Sequence, residues 1–298
     1  MTRLVLLLAA LLAAVAAVHG SQATFTASAT SQGSSFATAS KFAPAVTLTA
    51  PANNSRTSAA TPTLSGTAGN QTGDSTTVTV KIYSGSSATG TPVQTRTATR
   101  SGTSRSTTAT TLSAGTYTAQ ASQTDTSGNT GTSSANTFVV DTTKPTATSV
   151  SAVNKTGGTA GKIEAGDTVT FTYSEAIDPT SVLAGWDGSS TSVKVSFTNS
   201  SNNDTFTVLD SSGGANVHLG SVATGGNYVT AATSFTSTMV RAAGGASIVV
   251  TLGTPSNVAS GAVAAKNVVW TVGSGIKDLA GNTITAGTWT ETDGDVDF

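Results

Sequence analysis

The chain is predicted to be all-β, with two successive β-sandwiches behind a cleaved export signal. Three observations predict this. From residue 44 onward apolar and polar residues alternate with period 2, as in strands with one buried face. No helical apolar period lasts beyond about two turns. Ser and Thr make up about a third of the 298 residues, and charged residues 10%, against roughly 25% in an average globular domain.

The composition also removes classes of function. There is no Cys, so thiol catalysis, disulfide frameworks and Cys-ligated zinc are excluded. A net charge of −1 and a pI near 6.1 give no basic stripe for nucleic acid. Two His, one of them His19, leave little for acid–base chemistry near neutral pH.

The N-terminus reads as a signal peptide. Arg3 precedes an apolar run of Leu, Ala and Val over residues 4–18, and small residues follow through Ala23. That run would extend only about 22 Å as a helix, short of the roughly 30 Å membrane core. No later segment is apolar enough to span, so the mature chain is expected outside the membrane. The expected divisions are a signal peptide at 1–23, a Ser/Thr-rich segment at 24–43, a first sandwich at 44–144 and a second at 145–298. Residues Ala23-Thr24-Phe25-Thr26 and Gly33-Ser34-Ser35-Phe36-Ala37-Thr38 resemble the start of proteins exported through the SipW-type signal peptidase, the TasA and camelysin group. Ser35 replaces the usual Asn of that pattern.

In the first sandwich, strands are predicted at 45–49, 61–66, 76–83, 93–97, 107–112, 116–124 and 137–141. Val78, Val80 and Ile82 should share the inward face, with Thr77, Thr79, Lys81 and Tyr83 outward. Thr suits the outward face, because its branched side chain favours extended backbone without adding apolar surface. Gly115-Thr116-Tyr117 sets a Tyr just after a Gly turn. Immunoglobulin-like sandwiches place there a Tyr whose hydroxyl bonds back to the loop. Asp125-Thr126-Ser127-Gly128-Asn129 predicts a hairpin turn. Pro145 closes the unit and makes 141–145 a short, stiff linker. These three motifs together, ending in Val140-Asp141-Thr142-Thr143-Lys144-Pro145, resemble a bacterial Ig-like domain of large surface proteins over residues 44–145. The resemblance implies tandem units joined at that seam.

The second unit opens on an alternating strand from Gly166 to Asp178, with Val169, Phe171 and Tyr173 on one face. Further strands are predicted at 193–197, 205–209, 247–252 and 268–272, and a tight turn at 275–282. The Gly166–Asp178 run and Asp278-Leu279-Ala280-Gly281-Asn282 resemble the S-layer type of bacterial Ig-like domain over most of 146–292. Residues 199–246 are richer in Gly, Asn and Ser than that pattern needs. They are expected to hold an inserted hairpin or a long loop.

Sequence motifs for chemistry are scarce. His218 has no nucleophile elbow near it and reads as a surface-loop residue. Glu164, Glu175 and Glu291 are the only Glu, too few and too scattered to suggest a glycosidase pair. The C-terminal Glu291, Asp293, Asp295 and Asp297 could begin a calcium site if extended. A solvated acidic tail or a last strand is the simpler expectation. Residues 44–144 carry a net charge of +3, from Arg56, Lys81, Arg96, Arg100, Arg105 and Lys144 against Asp74, Asp125 and Asp141. Residues 145–298 carry −6, from six basic and twelve acidic residues. Arg96, Arg100 and Arg105 could together meet an anionic wall polymer.

No catalytic, cofactor or metal-binding residues are assigned from the sequence. The reading is a secreted or noncovalently surface-associated structural or adhesive protein without catalysis. Its partners would be a cell-wall polymer, a host surface or another surface protein, and not nucleic acid. One alternative is a self-assembling fibre or matrix subunit, with residues 24–42 adding a strand to a neighbour's edge. The other is a carbohydrate-binding accessory protein, against which the presence of only three Trp argues.

Overall fold

The computed structural model describes residues 42–214, 216–257, 263–292 and 296–298. The expected signal peptide and the SipW-like stretch therefore lie outside the described residues. Residues 43–298 form one compact unit. Within it, buried apolar side chains gather in two separate clusters, one drawn from residues 48–140 and the other from 150–298.

Two sheets enclose the first cluster. One has the order β1 (Ser55–Thr57), β8 (Asn136–Val140), β6 (Gly115–Thr124), β3 (Thr77–Ser84), β4 (Gln94–Thr99), with β7 (Thr130–Thr132) also paired to β6. The other pairs β2 (Thr63–Thr67) with β5 (Ser104–Thr108). The extended segment 45–50 extends this second sheet: Thr47 and Thr49 donate their N–H groups to Thr67 and Ser65 at 3.1 and 2.8 Å, and Ser65 donates to Ala50 at 3.0 Å. Val78, Val80 and Ile82 are fully buried, as the alternation requires. Tyr83, expected outward, is buried as well.

The Tyr117 hydroxyl donates to the Ser113 carbonyl at 3.0 Å, which is the loop bond predicted for it. The strand predicted at 107–112 runs instead over Ser104–Thr108. The partner strand sets this shift. Gly66 on β2 faces Arg105, and the absence of a side chain lets the Arg105 guanidinium cross β2 and reach the Thr47 carbonyl at 2.6 Å. Leu112 is buried beyond the strand end, its N–H bonded to the Ala60 carbonyl at 2.8 Å. β1 and β7 were not foreseen, since each has three residues and no apolar alternation.

The second cluster lies within one antiparallel sheet. Its order is β17 (Thr288–Thr290), β16 (Val269–Val272), β13 (Asn216–Ala223), β12 (Thr205–Asp210), β11 (Thr191–Thr198), β14 (Thr233–Arg241), β15 (Ser247–Pro255), β10 (Thr168–Tyr173), β9 (Ala147–Val153). β17 also touches β9, so the sheet curls around a single core. One helical turn, α1 (Pro179–Val182), is capped by Asp178, whose Oδ1 accepts the Thr180 N–H at 2.9 Å.

Residues 199–246 are not one long loop. They supply β12, β13 and β14, and β14 lies between β11 and β15 inside the sheet. Their Gly, Asn and Ser residues occupy connections, while Phe206, Val208, Phe235 and Met239 are buried.

Trp270 lies at the middle of this core. Phe171 and Tyr173 meet it edge-on with ring centroids 5.1 and 5.4 Å away, and its Nε1 donates to the Leu219 carbonyl at 2.7 Å. The described carboxylates of the acidic stretch 291–297 are not solvated. Glu291 and Asp297 are buried, while Asp293 and Asp295 lie outside the described residues. Phe298 is fully buried and packs on Phe197, Phe206 and Tyr228.

Two substitutions test this packing. Gly66→Val would drive a side chain into the Thr47 carbonyl and the path of Arg105. We expect a loss of about 3 kcal/mol or more of unfolding free energy in urea titrations. The buried Tyr173 hydroxyl has no hydrogen-bond partner among the described residues. Tyr173→Phe should keep the ring contacts and raise stability by about 1 kcal/mol, whereas a Tyr with a bonded hydroxyl would lose a similar amount.

Candidate functional site

The two turns anticipated from the sequence share one geometry. In the first, Asp125 Oδ1 accepts the Ser127 and Asn129 N–H groups at 2.8 and 2.9 Å, and Oδ2 accepts Asn129 Nδ2 at 2.9 Å. In the second, Asp278 Oδ1 accepts the Ala280 and Asn282 N–H groups, both at 2.8 Å, and Oδ2 accepts Asn282 Nδ2 at 2.7 Å. Gly128 and Gly281 carry the chain through left-handed backbone, at φ +86° and +95°. A side chain is disfavoured there. An ionised carboxylate that accepts several N–H groups is a strong anchor for a turn.

The second turn has an additional role. Asn282 Nδ2 also donates to the Asp141 carbonyl at 2.7 Å, so the turn ties down the chain where it leaves β8. Around this bond the Thr285 N–H donates to the Pro145 carbonyl at 3.2 Å, and Ser174 and Thr146 exchange two hydrogen bonds. The linker predicted to be stiff at Pro145 is therefore held on both sides.

Three carboxylates converge at this seam. One oxygen each from Asp141, Glu175 and Asp278 lies within 4.8 Å of the others. Asp141 and Glu175 are half-buried and Asp278 is buried. Burial first, and then the charges of Asp141 and Asp278, push the Glu175 carboxyl above its ordinary range, while Arg56 pulls it back. Among the described residues this is the group whose donors suit a hard divalent cation. It supplies three of the six to eight oxygens that calcium takes. Sequence reasoning singled out each of these residues for a different reason: Asp141 as a linker residue, Glu175 within a strand motif and Asp278 as a turn former. Nothing in their spacing showed that they meet.

The residues weighed for chemistry lie apart. His218 Nδ1 pairs with the Ser181 carbonyl at 2.9 Å and braces α1. Glu164 lies 3.7 Å from Lys155 and 3.9 Å from Lys162. Glu291 accepts the Val268 N–H at 3.3 Å.

The three arginines do not form a shared anionic-polymer patch. Arg96 donates to the Thr108 carbonyl at 3.0 Å and Arg100 to Ser75 and Gly102, both at 3.2 Å. Arg105 is buried, and its burial lowers the guanidinium pKa. Each thus donates to a backbone carbonyl of its own, Arg105 through Nη2 alone. Trp186 and Trp270 are core residues and Trp289 is half-buried on β17, so the three indoles do not make an exposed stacking platform.

Residues 48–142 match the family model of the bacterial Ig-like domain. That span takes in the first core, the Tyr117 loop bond, the Asp125 turn and Asp141. A comparison with curated proteins gives no match. One solved structure that aligns is titled "Crystal structure of tetra-tandem repeat in extending region of large adhesion protein". The alignment has 18% identity and a TM-score of 0.26, and covers 84% of this chain and 49% of that one. This chain thus spans about half the length of that solved chain.

Burial of Glu175 beside two like charges has a measurable consequence. With its pKa raised, Glu175 holds its proton at higher pH in the folded state than in the unfolded state. Stability therefore falls as pH rises through the window that starts near the ordinary value of 4.5. Glu175→Gln removes that slope. In chelator-treated samples at pH 7 we expect a melting temperature a few degrees higher, corresponding to at most about 1 kcal/mol because solvent screens the repulsion. Parallel pH profiles for the two proteins would refute the raised Glu175 pKa.

Proposed function

We propose that the chain is an exported surface protein that acts without catalysis as a spacer or adhesive module. In this reading a signal peptide at residues 1–23 is removed by a SipW-type peptidase. The segment 24–43 then leads into an Ig-like unit at 44–144, followed by an S-layer-type Ig-like unit at 145–298.

The observation that carries the reading is the Ig-like match at 48–142, a span that takes in Asp141, whose carbonyl the neighbouring core holds through Asn282. A joint fixed by hydrogen bonds on both sides of Pro145 suits a protein that holds position rather than one that closes on a substrate. Of the residues weighed for chemistry, His218 braces a helix, and Arg96, Arg100 and Arg105 each donate to a backbone carbonyl. In the described residues no helix is long and apolar enough to cross a membrane.

Cell fractionation tests the proposal. Bacteria producing the full chain should release it to the medium or display it on intact cells in a protease-sensitive form. Mass spectrometry of that material should find a new N-terminus near residue 24. A chain that stays inside the cell with Met1 intact would overturn the reading.

A further inference from the structure

We propose that the Ig-like unit at 44–144 is a load-bearing element, built to resist tension applied between its two ends. The inference comes from the direction of its terminal strands. β1 and β8 pair in parallel, with Ser55 opposite Phe138, Arg56 opposite Val139 and Thr57 opposite Val140. β1 follows closely on the point where the chain enters the unit, and β8 ends where it leaves. Tension on the two ends therefore drags β1 and β8 in opposite directions along their own axes. Hydrogen bonds loaded this way share the force and must yield together. Strands pulled apart sideways lose their bonds one at a time.

Further bonds reinforce this parallel pair at both ends. Before β1, the Asn54 N–H donates to the Thr137 carbonyl at 2.6 Å, and Asn53 Oδ1 accepts the Thr137 N–H at 2.9 Å. After it, the Asp141 N–H donates to the Thr57 carbonyl at 2.9 Å. Asn136 on β8 is buried, and its Nδ2 donates to both the Leu48 and Pro51 carbonyls at 2.9 Å. One side chain thus binds the exit strand to two points of the entry segment. Arg105 holds a third point, the Thr47 carbonyl. The 45–50 segment is also paired along β2, so withdrawing it lengthwise shears a second set of bonds. Resistance to forced unfolding is set by the height of the unfolding barrier rather than by equilibrium stability, and these bonds lie on that barrier.

The property follows from strand direction alone. Its use to the cell rests on the surface-protein reading above. The chain has no Cys, so two introduced cysteines define the points of attachment for single-molecule stretching of the full protein. Ala43→Cys with Thr143→Cys loads β1 against β8 in shear. Ala59→Cys with Thr143→Cys pulls the adjacent ends of the two strands apart. All three positions are exposed. Releasing residues 43–143 adds about 30 nm of extended chain at roughly 3.4 Å per residue, which identifies the event.

We expect a several-fold higher unfolding force in the first geometry at the same pulling speed. Equal forces, or a weaker first geometry, would overturn the proposal. Circular dichroism establishes that each pair folds, and the exposed Ala45 and Thr142 replace Ala43 and Thr143 should the first choice not fold. Fractionation decides the surface reading separately. An exported protein with equal forces would lose only the load-bearing role, and a strong unit in an intracellular protein would lose only the surface role.

Discussion

With so much of its surface made of Thr and Ser, the chain must draw its cores from the inward half of each strand. This alternation is the constraint on which the rest of the structure depends. A slip of one residue in β3 would turn Val78, Val80 and Ile82 outward and bring Thr77, Thr79 and Lys81 inside. The same holds for Val169, Phe171 and Tyr173 on β10. Surface charge does little to fix the register. The ion pairs within 4.0 Å among the described residues both involve Glu164, and exposed pairs of that kind contribute little.

The polar residues that do enter the interior serve the backbone. Asp204 is fully buried and its two oxygens accept the Ser200 and Val229 N–H groups at 2.8 and 2.7 Å. Asp167 does the same for Lys155 and Glu164 at 3.0 and 2.6 Å. Gln123 satisfies Gly69 from both ends of its amide. A buried carboxylate or amide that meets main-chain groups offsets its desolvation and fixes a loop that lacks apolar anchors. Charge is scarce in this protein, and much of it is used in this way.

What the sequence disclosed follows from this division. Strands with strict alternation were legible, as were turns whose Asp and Gly have local reasons to be there. Tyr117 was legible because its partner, Ser113, lies one loop away. Features set by distant partners were not. β5 is placed by Gly66, which appears in its own strand as one more small residue. β14 lies in a stretch whose Gly and Ser content resembles a loop, and only its pairing with β11 and β15 reveals a central strand. The arginines looked like a patch because they are close in sequence, but each is directed to a different carbonyl. The acidic stretch 291–297 looked solvated because the partners of its buried ends, Phe197, Phe206, Tyr228 and Val268, lie far back in the chain. The seam carboxylates show the same effect, since three separately explicable residues become a group only when both cores are in place.

The burial of Phe298 gives the two cores different schedules. The cluster drawn from residues 48–140 has all its members once that stretch has been made, so it can close while synthesis continues. The other cluster includes residue 298, whose ring fills the space between Phe197, Phe206 and Tyr228. It stays incomplete until that residue has emerged. The earlier half of the protein can thus be native while the later half is still an open chain, and the bond from Asn282 to Asp141 is among the contacts that must wait for the later half.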